Sequence, residues 1–418
     1  MKKKRNIVLI ILSMIAGIAY LTPLLRFSFY DQMVAALNIT DIQLGDIAAV
    51  YGIFNVISYV PSGLLAEKFN TKKLLIISTL GMCLTTIWYA TFPDFTSLKI
   101  IHALYGIFSV GTFWSPYLKA VRNLGSDTEQ GRMFGISEAI RGIGQTLVAF
   151  ICLGALSLFT TYTSGFRAVL IINGFVFALL MVLIICLIPD FDKQTPTVKA
   201  HKKAAKTESV GIIETLKSPP TWICIFVILC GYCLWNTVNG YIGTYGTRVL
   251  HLPPELSSTI SIIRSYIIVF IAGISGGLIM DKFSSKGKVM FYAFSAAGAC
   301  AAGIYFTSSI VFICIGITII LSYLVNVIKS TYWSIMGEAG VPLKATGIAT
   351  GLISFIALTP DIFVSKIISR FISYGETKGN IEIGFHLMLL WIFVWSILGI
   401  FASLILKRQH RKNRIQTS

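Results

Sequence analysis

Charge is scarce in this sequence. Asp, Glu, Lys and Arg make up 13% of its 418 residues, about half the share in a soluble globular domain. A soluble protein of this size would need far more polar surface. Acidic residues are the scarcer sign, 18 against 35 Lys and Arg. Enzyme signatures are missing too. There is no Gly-x-x-x-x-Gly-Lys-Ser/Thr phosphate loop, which argues against direct drive by ATP, and no His-Glu-x-x-His zinc motif. No nucleophile elbow is found. Gly142 and Gly144 lie in an apolar run outside any dinucleotide-binding context, and read as close helix packing.

Metal and redox chemistry find little support. Cys83, Cys152, Cys186, Cys224, Cys230, Cys233, Cys300 and Cys314 all lie in apolar stretches. Cys230 and Cys233 have the spacing of a metal or redox pair, but no second pair completes a site. Buried thiols acting as small hydrophobes account for all eight. No metal and no cofactor is expected.

What is abundant is apolar. Hydrophobic residues make up 55% of the chain, with 28 Phe, 17 Tyr, 7 Trp and 35 Gly. Membrane helices use such residues, packing through the small ones and anchoring through the aromatic ones. The net charge of +17 does not imply nucleic acid. It is gathered in short clusters between apolar runs and at both ends, as in cytoplasmic loops facing anionic headgroups.

Apolar segments long enough to span a bilayer recur along the chain. They run over 7–30, 44–66, 73–91, 97–120, 133–158 and 166–188. They resume at 220–246, 258–280, 288–307, 309–334, 345–371 and 380–406. The fold expected is therefore an all-α polytopic membrane protein with twelve transmembrane helices in two six-helix bundles. The first segment starts like a signal peptide, but its run from Ile7 to about Leu25 is too long for one and reads as a retained helix. Residues 1–188 form the expected N-terminal bundle and 220–418 the C-terminal bundle with a short basic tail. The 189–219 linker carries Lys193, Lys199, Lys202, Lys203, Lys206 and Lys217, with a surface helix expected around Val210 to Leu216.

Orientation follows the bias of Lys and Arg. Lys2, Lys3, Lys4 and Arg5 begin the chain; Lys407, Arg408, Arg411, Lys412 and Arg414 lie near its end. Lys68, Lys72 and Lys73, then Arg122 and Arg132, then Lys282, Lys286 and Lys288 mark the loops of the same side. The opposite loops carry Asp31, Asp41, Asp46 and Asp94. Both termini are expected in the cytoplasm of a bacterial cell, with the chain in its inner membrane.

A repeat supports the six-plus-six division. Gly63-Leu64-Leu65-Ala66-Glu67-Lys68-Phe69 follows the second span, and Gly277-Leu278-Ile279-Met280-Asp281-Lys282-Phe283 follows the eighth. Both read Gly-Leu-x-x-acid-Lys-Phe at equivalent places, the mark of duplicated bundles.

The Gly63 to Lys73 segment resembles the loop between helices two and three of the major facilitator superfamily, whose form is roughly Gly-x-x-x-Asp-Arg-x-Gly-Arg-Arg. Glu67 stands for the aspartate and Lys68 for the first arginine, while Asn70 replaces the second glycine. A narrower resemblance is to the organophosphate and sugar-acid transporter branch and its uncharacterised bacterial relatives. It rests on Trp114-Ser115-Pro116-Tyr117-Leu118-Lys119, on Glu129-Gln130-Gly131-Arg132 with Phe134-Gly135, and on Tyr20 and Arg26. There the resemblance implies that Arg26 meets a substrate phosphate. That branch also has an arginine three residues after a tyrosine in helix seven. Here Tyr232 is followed at that distance by Trp235, so the arginine pair is incomplete.

Charged residues inside apolar spans are costly and are read first as functional. Arg26 and Arg141 are candidate anion ligands, since a guanidinium grips carboxylate or phosphate with two parallel bonds. Arg26 could instead reach the outer interface, and Arg141 could pair with Glu138 three residues earlier. Arg264, near the outer start of span eight, is expected at the interface. Asp361 follows Pro360 in span eleven, where proline disfavours regular helix. It is the first candidate for proton coupling, with Glu138 and His102 beside it; a hydrogen-bonded interior role is the alternative for His102. Lys329 and Lys366 are further polar residues within spans. Tyr20, Trp114, Tyr117, Trp235, Asn236, Asn239, Tyr323 and Asn326 are amphipathic aromatics and amides suited to lining a polar cavity. The resemblance implies gating by Glu67, Lys68, Lys72, Asp281 and Lys282.

The function expected is secondary active transport of a small organic anion by alternating access, with protons as the candidate coupling ion. An organic anion or phosphate exchanger, an exporter of amphiphiles and a non-transporting membrane sensor are the alternatives. The expected partners are the solute and membrane lipids, not nucleic acid, and the expected state is a monomer.

Overall fold

The computed structural model describes residues 2–125, 129–190, 212–283, 285–342 and 346–417. Every regular element among them is helical. Most of the expected 189–219 linker lies outside the described residues. Its C-terminal end forms the short helix α9, Ile212–Lys217.

By length and apolarity, ten helices among the described residues can cross a membrane. The expected third and fourth spans are helical but fall outside that set. The third is α4, Thr71–Tyr89, whose 19 residues open on Lys72 and Lys73. The fourth is divided between α5, Phe95–Gly106, and α6, Trp114–Arg122, by a π-helical turn over Ile107–Gly111.

Helix starts follow local chemistry. Thr40 caps α3, Asp41–Lys68, by accepting from the Gln43 amide, and the Gln43 side chain accepts from the Thr40 amide. This reciprocal pair satisfies two donors at the helix start that have no partner within the helix. Asp94 accepts from the amides of Thr96 and Ser97 at the head of α5. The Ser97 hydroxyl also donates to it, at 2.6 Å, and is the main reason its carboxyl is held below its ordinary pKa. Thr161 does the same work for α8, Tyr162–Leu187.

Several expected spans are interrupted. Span one breaks at the 3-10 turn Thr22–Leu24, where Pro23 sits between α1, Lys2–Leu21, and α2, Arg26–Leu37. Span eight breaks at a π-helical turn, Ile263–Ile267, between α11, Pro254–Ile262, and α12, Ile268–Lys282. Span ten is α14, Val311–Thr331, a 3-10 turn Tyr332–Ile335 and α15, Met336–Ala339. Span eleven is α16, Thr346–Ala357, and α17, which restarts at Pro360 and runs to Thr377. The break before Asp361 is the one that proline anticipates. Broken backbone at membrane depth is tolerated where protein groups satisfy it.

The chain divides into two compact units. Unit 1 is Met1–Pro196 with Pro253–Ile267, and unit 2 is Thr197–Leu252 with Ile268–Ser418. In unit 1, α1 packs on α7, Gln130–Ser157. A Cβ at Gly17 would lie 2.9 Å from the Arg141 carbonyl oxygen, and the Gln145 amide donates to the Gly17 carbonyl at 3.0 Å. Only glycine permits this approach. Gly144 likewise faces Met14, whereas a Cβ at Gly142 would meet nothing within 4 Å. Of the expected glycine pair, only Gly144 serves packing. In unit 2, α13, Lys286–Thr307, packs on α18, Ile381–Thr417, and α10, Pro219–Arg248, packs on α14 and α18.

Large apolar side chains also cover the outside. Leu158 is 83% exposed, Phe306 78% and Phe312 90%. In water such a surface would be an aggregation hazard; in hydrocarbon it is the ordinary exterior of a membrane helix.

Candidate functional site

A polar cluster lies in each unit. In unit 1 it is built on α7. Arg141 donates to Glu138, one helical turn earlier, at 2.8 Å, so the expected i,i+3 pair is formed. The Arg141 side chain keeps 24% of its surface exposed and Glu138 keeps 53%. Gly17 lets α1 lie against the Arg141 stem, and Tyr20 follows one turn later on the same face. Tyr20 is within electrostatic range of Arg141, Tyr51, Tyr59 and Tyr117. Its ring meets Trp114 edge to face, with centroids 5.8 Å apart, and Trp114 adjoins Tyr117 at 5.7 Å. The Tyr117 hydroxyl bonds Ser137 at 2.7 Å, and Ser137 shares a 2.6 Å bond with Ser13. Tyr20, Trp114, Tyr117, Glu138 and Arg141 are thus one neighbourhood. It consists of phenols, an indole, one guanidinium and the carboxylate paired with it.

Arg26 and His102 occupy a separate, closed layer. Arg26 is 5% exposed, with its guanidinium carbon 4.7 Å above the Phe27 ring. His102 is buried, its Nδ1 bonded to the Leu98 carbonyl at 2.8 Å, with Tyr89 and Tyr105 edge-on to its ring. Arg26 is within electrostatic range of it. His102 therefore has the hydrogen-bonded interior setting weighed as its alternative. Arg264 is 1% exposed, inside unit 1. The segment carrying it packs on α7.

In unit 2 the cluster joins α10, α14 and α17. The Tyr232 hydroxyl donates to both carboxylate oxygens of Asp361, at 3.0 and 2.9 Å. The Asn236 side-chain amide donates to the same carboxylate at 2.7 Å. Tyr232 stacks on Trp235, with centroids 5.4 Å apart and planes 18° apart. Trp235 donates its indole N–H to the Asn326 side-chain oxygen at 3.0 Å, and the Lys329 ammonium lies 3.8 Å above its ring. Trp235, Asn236, Asn326 and Asp361 are brought together, with Tyr232 and Lys329 among them. Asn239 turns its amide to the Trp235 carbonyl at 2.9 Å, and Tyr323 bonds Ser275 at 2.8 Å.

The expected gate residues sit at helix ends. Glu67 and Lys68 are exposed at the end of α3, and Asp281 and Lys282 are exposed at the end of α12. Lys72 donates to the Ile185 carbonyl at 2.8 Å, and Asn70 donates to Asp190 at 2.6 Å. Sequence reasoning singled out neither Tyr51 nor Tyr59, and noted Tyr232 only as a landmark. It also passed over Glu338, which accepts from the Ser285 hydroxyl at 2.7 Å and from the amides of Lys286 and Gly287 at 2.5 and 3.0 Å. A lone acid at the end of an apolar run was the available signal for it. The described residues hold no His, Cys, Asp and Glu group suited to a metal.

The chain is similar to two inner membrane proteins of Escherichia coli K12. It is 24% identical to YihN over 95% of each chain. To YqcE it is 26% identical, over 88% of this chain and 87% of that one. Among solved structures, a bacterial homologue of the human lysosomal transporter Spinster, inward-facing and unoccupied, superposes with a TM-score of 0.77. That match has 13% identity and covers 99% of this chain and 98% of the other, so it bears on the fold. The sequence profile of the Major Facilitator Superfamily matches residues 7–360. That span is most of the chain, and the protein accordingly belongs to the Major Facilitator Superfamily, as a multi-pass membrane transport protein and not an enzyme.

Proposed function

We propose that this protein is a secondary active transporter carrying a small organic anion across the bacterial inner membrane by alternating access. Protons entering at Asp361 are its coupling ion. In this reading twelve spans form two pseudo-symmetric bundles, 1–188 and 220–418. The basic 189–219 linker and both termini lie in the cytoplasm, as the Lys and Arg bias favours.

The observation that carries the reading is the setting of Arg141. A guanidinium inside an apolar span is expensive unless it has work to do. This one is partly exposed and is steered by Glu138 at 2.8 Å. Tyr20, Trp114 and Tyr117 adjoin it, a set that supplies hydroxyl donors and ring faces around a planar cation. Such a set matches a carboxylate or phosphate carried on a small polar body. Arg26, enclosed at 5% exposure, is the weaker candidate for direct contact and acts as a fixed positive charge behind His102. Glu67, Lys68, Lys72, Asp281 and Lys282 are assigned to gating.

The test is thermal stabilisation of the purified protein across sugar phosphates, sugar acids, simple carboxylates, amino acids and cationic amphiphiles. A ligand of the folded state raises the melting temperature by mass action. Stabilisation by anions that vanishes in a folded Arg141→Ala variant supports the proposal. Stabilisation by cations or apolar amphiphiles alone refutes it and favours an exporter.

A further inference from the structure

Lys329 belongs to the unit 2 cluster, and neither the motifs nor the family resemblance gives it a role. Its position is built from several directions. It lies in the last turn of α14, where span ten gives way to a 3-10 turn. A cation there is favoured by the negative end of the helix dipole. Asp361 lies in the first turn of α17, where an anion is favoured by the opposite end. The two broken spans therefore bring one charge of each sign to helix ends inside the membrane span. Discontinuous helices place ion and substrate sites in this way.

The ammonium is also seated. Asn326 and Lys329 are three residues apart on α14, on one face. Asn326 fixes the edge of the Trp235 indole at 3.0 Å and Lys329 covers its ring at 3.8 Å. Tyr232 stacks on the same indole and ties it to Asp361. A ring held by its N–H and by a stacked neighbour cannot follow the lysine; the lysine is placed by the ring. The seat turns one side of the ammonium to the π-cloud. Lys329 is half-buried, not enclosed.

We infer that Lys329 is an anion-binding residue of unit 2, receiving the carboxylate or phosphate of the transported solute, with Trp235 as its positioning residue. This rests on the proposed organic-anion substrate and adds where unit 2 would hold that charge. The bland alternative is that Lys329 only balances the charge of Asp361.

The two separate in one experiment. Thermal stabilisation is measured with D-gluconate, D-glucose 6-phosphate and, as the uncharged control, D-glucose. The proteins are wild type, Lys329→Arg, Lys329→Gln and the double variant Lys329→Gln/Asp361→Asn. Lys329→Arg should bind the anion found for wild type, and Lys329→Gln should bind it about tenfold or more weakly. The double variant should stay weak. If Lys329→Gln fails to fold, Lys329→Met keeps the apolar stem on the indole and replaces it in both the single and the double variant. Unchanged anion affinity on neutralising Lys329 overturns the inference, as does recovery of affinity in the double variant. If Arg141→Ala loses the anion while Lys329→Gln keeps it, the transport proposal survives and only this inference fails. If no anion stabilises the wild type, both fail.

Discussion

Tyr232 and Asp361, separated by 129 positions in the chain, meet where one phenol hydroxyl donates between both oxygens of one carboxylate, 3.0 and 2.9 Å away. Asp361 is thereby held in place by α10 while its backbone belongs to the restarted helix of span eleven. If this carboxylate carries the coupling proton, Asp361→Asn should abolish uptake driven by a pH gradient. Counterflow exchange of the same solute should persist. Tyr232→Phe should give an intermediate defect, because Asn236 still donates to Asp361 at 2.7 Å. Equal loss of both transport modes in Asp361→Asn would assign the residue to binding or folding.

Arg141 gives a graded prediction. Removing the guanidinium with Arg141→Ala should weaken anion binding by about 1.5 kcal/mol or more, the low end for hydrogen bonds to charged groups. Arg141→Lys should recover part of this, since it returns the charge without the planar fork. Glu138→Gln should change affinity less than Arg141→Ala does. Isothermal titration against the best anion of the panel measures all three.

The two glycines of span five and its neighbour predict opposite outcomes. Gly17→Ala places a methyl group 2.9 Å from the Arg141 carbonyl oxygen. Backbone cannot yield as a side chain can, so about 1–3 kcal/mol of destabilisation is expected. Gly142→Ala enters open space and should be neutral, or stabilising by up to about 1 kcal/mol through helix propensity. Thermal unfolding in one detergent compares them directly. A stable Gly17→Ala would mean that α1 and α7 are not held this close.

Glu338 acts as an N-terminal cap supplied from another span. It accepts from the Ser285 hydroxyl and from the amides of Lys286 and Gly287 at the head of α13. Glu338→Ala should cost about 1–2 kcal/mol, by loss of the cap and of an anion at a helix start. Faster hydrogen exchange at the amides of Lys286 to Val289 is the local signature. Exchange unchanged there would show that the cap does not hold this turn.

These sites were unevenly legible in the sequence. Apolar runs near 20 residues announce spans, and Pro360 announces the break that puts Asp361 at a helix start. The π-helical turns Ile107–Gly111 and Ile263–Ile267 have no comparable signal: their residues are ordinary membrane-helix residues, and tertiary packing decides the backbone. The Glu138–Arg141 pair was visible because i,i+3 neighbours on a helix must meet. The Tyr232–Asp361 and Trp235–Asn326 pairs were not, because nothing local fixes which faces of α10, α14 and α17 turn toward one another.

The central claim is that an organic anion crosses the membrane with protons. The most direct measurement is uptake of the radiolabelled stabilising anion into proteoliposomes under an imposed pH gradient, acid outside. Accumulation above equilibrium that collapses with a protonophore and is absent from Asp361→Asn is the predicted result. Uptake that only equilibrates, unaffected by the gradient or by Asp361→Asn, would contradict proton coupling, and no uptake of any anion would contradict the claim itself.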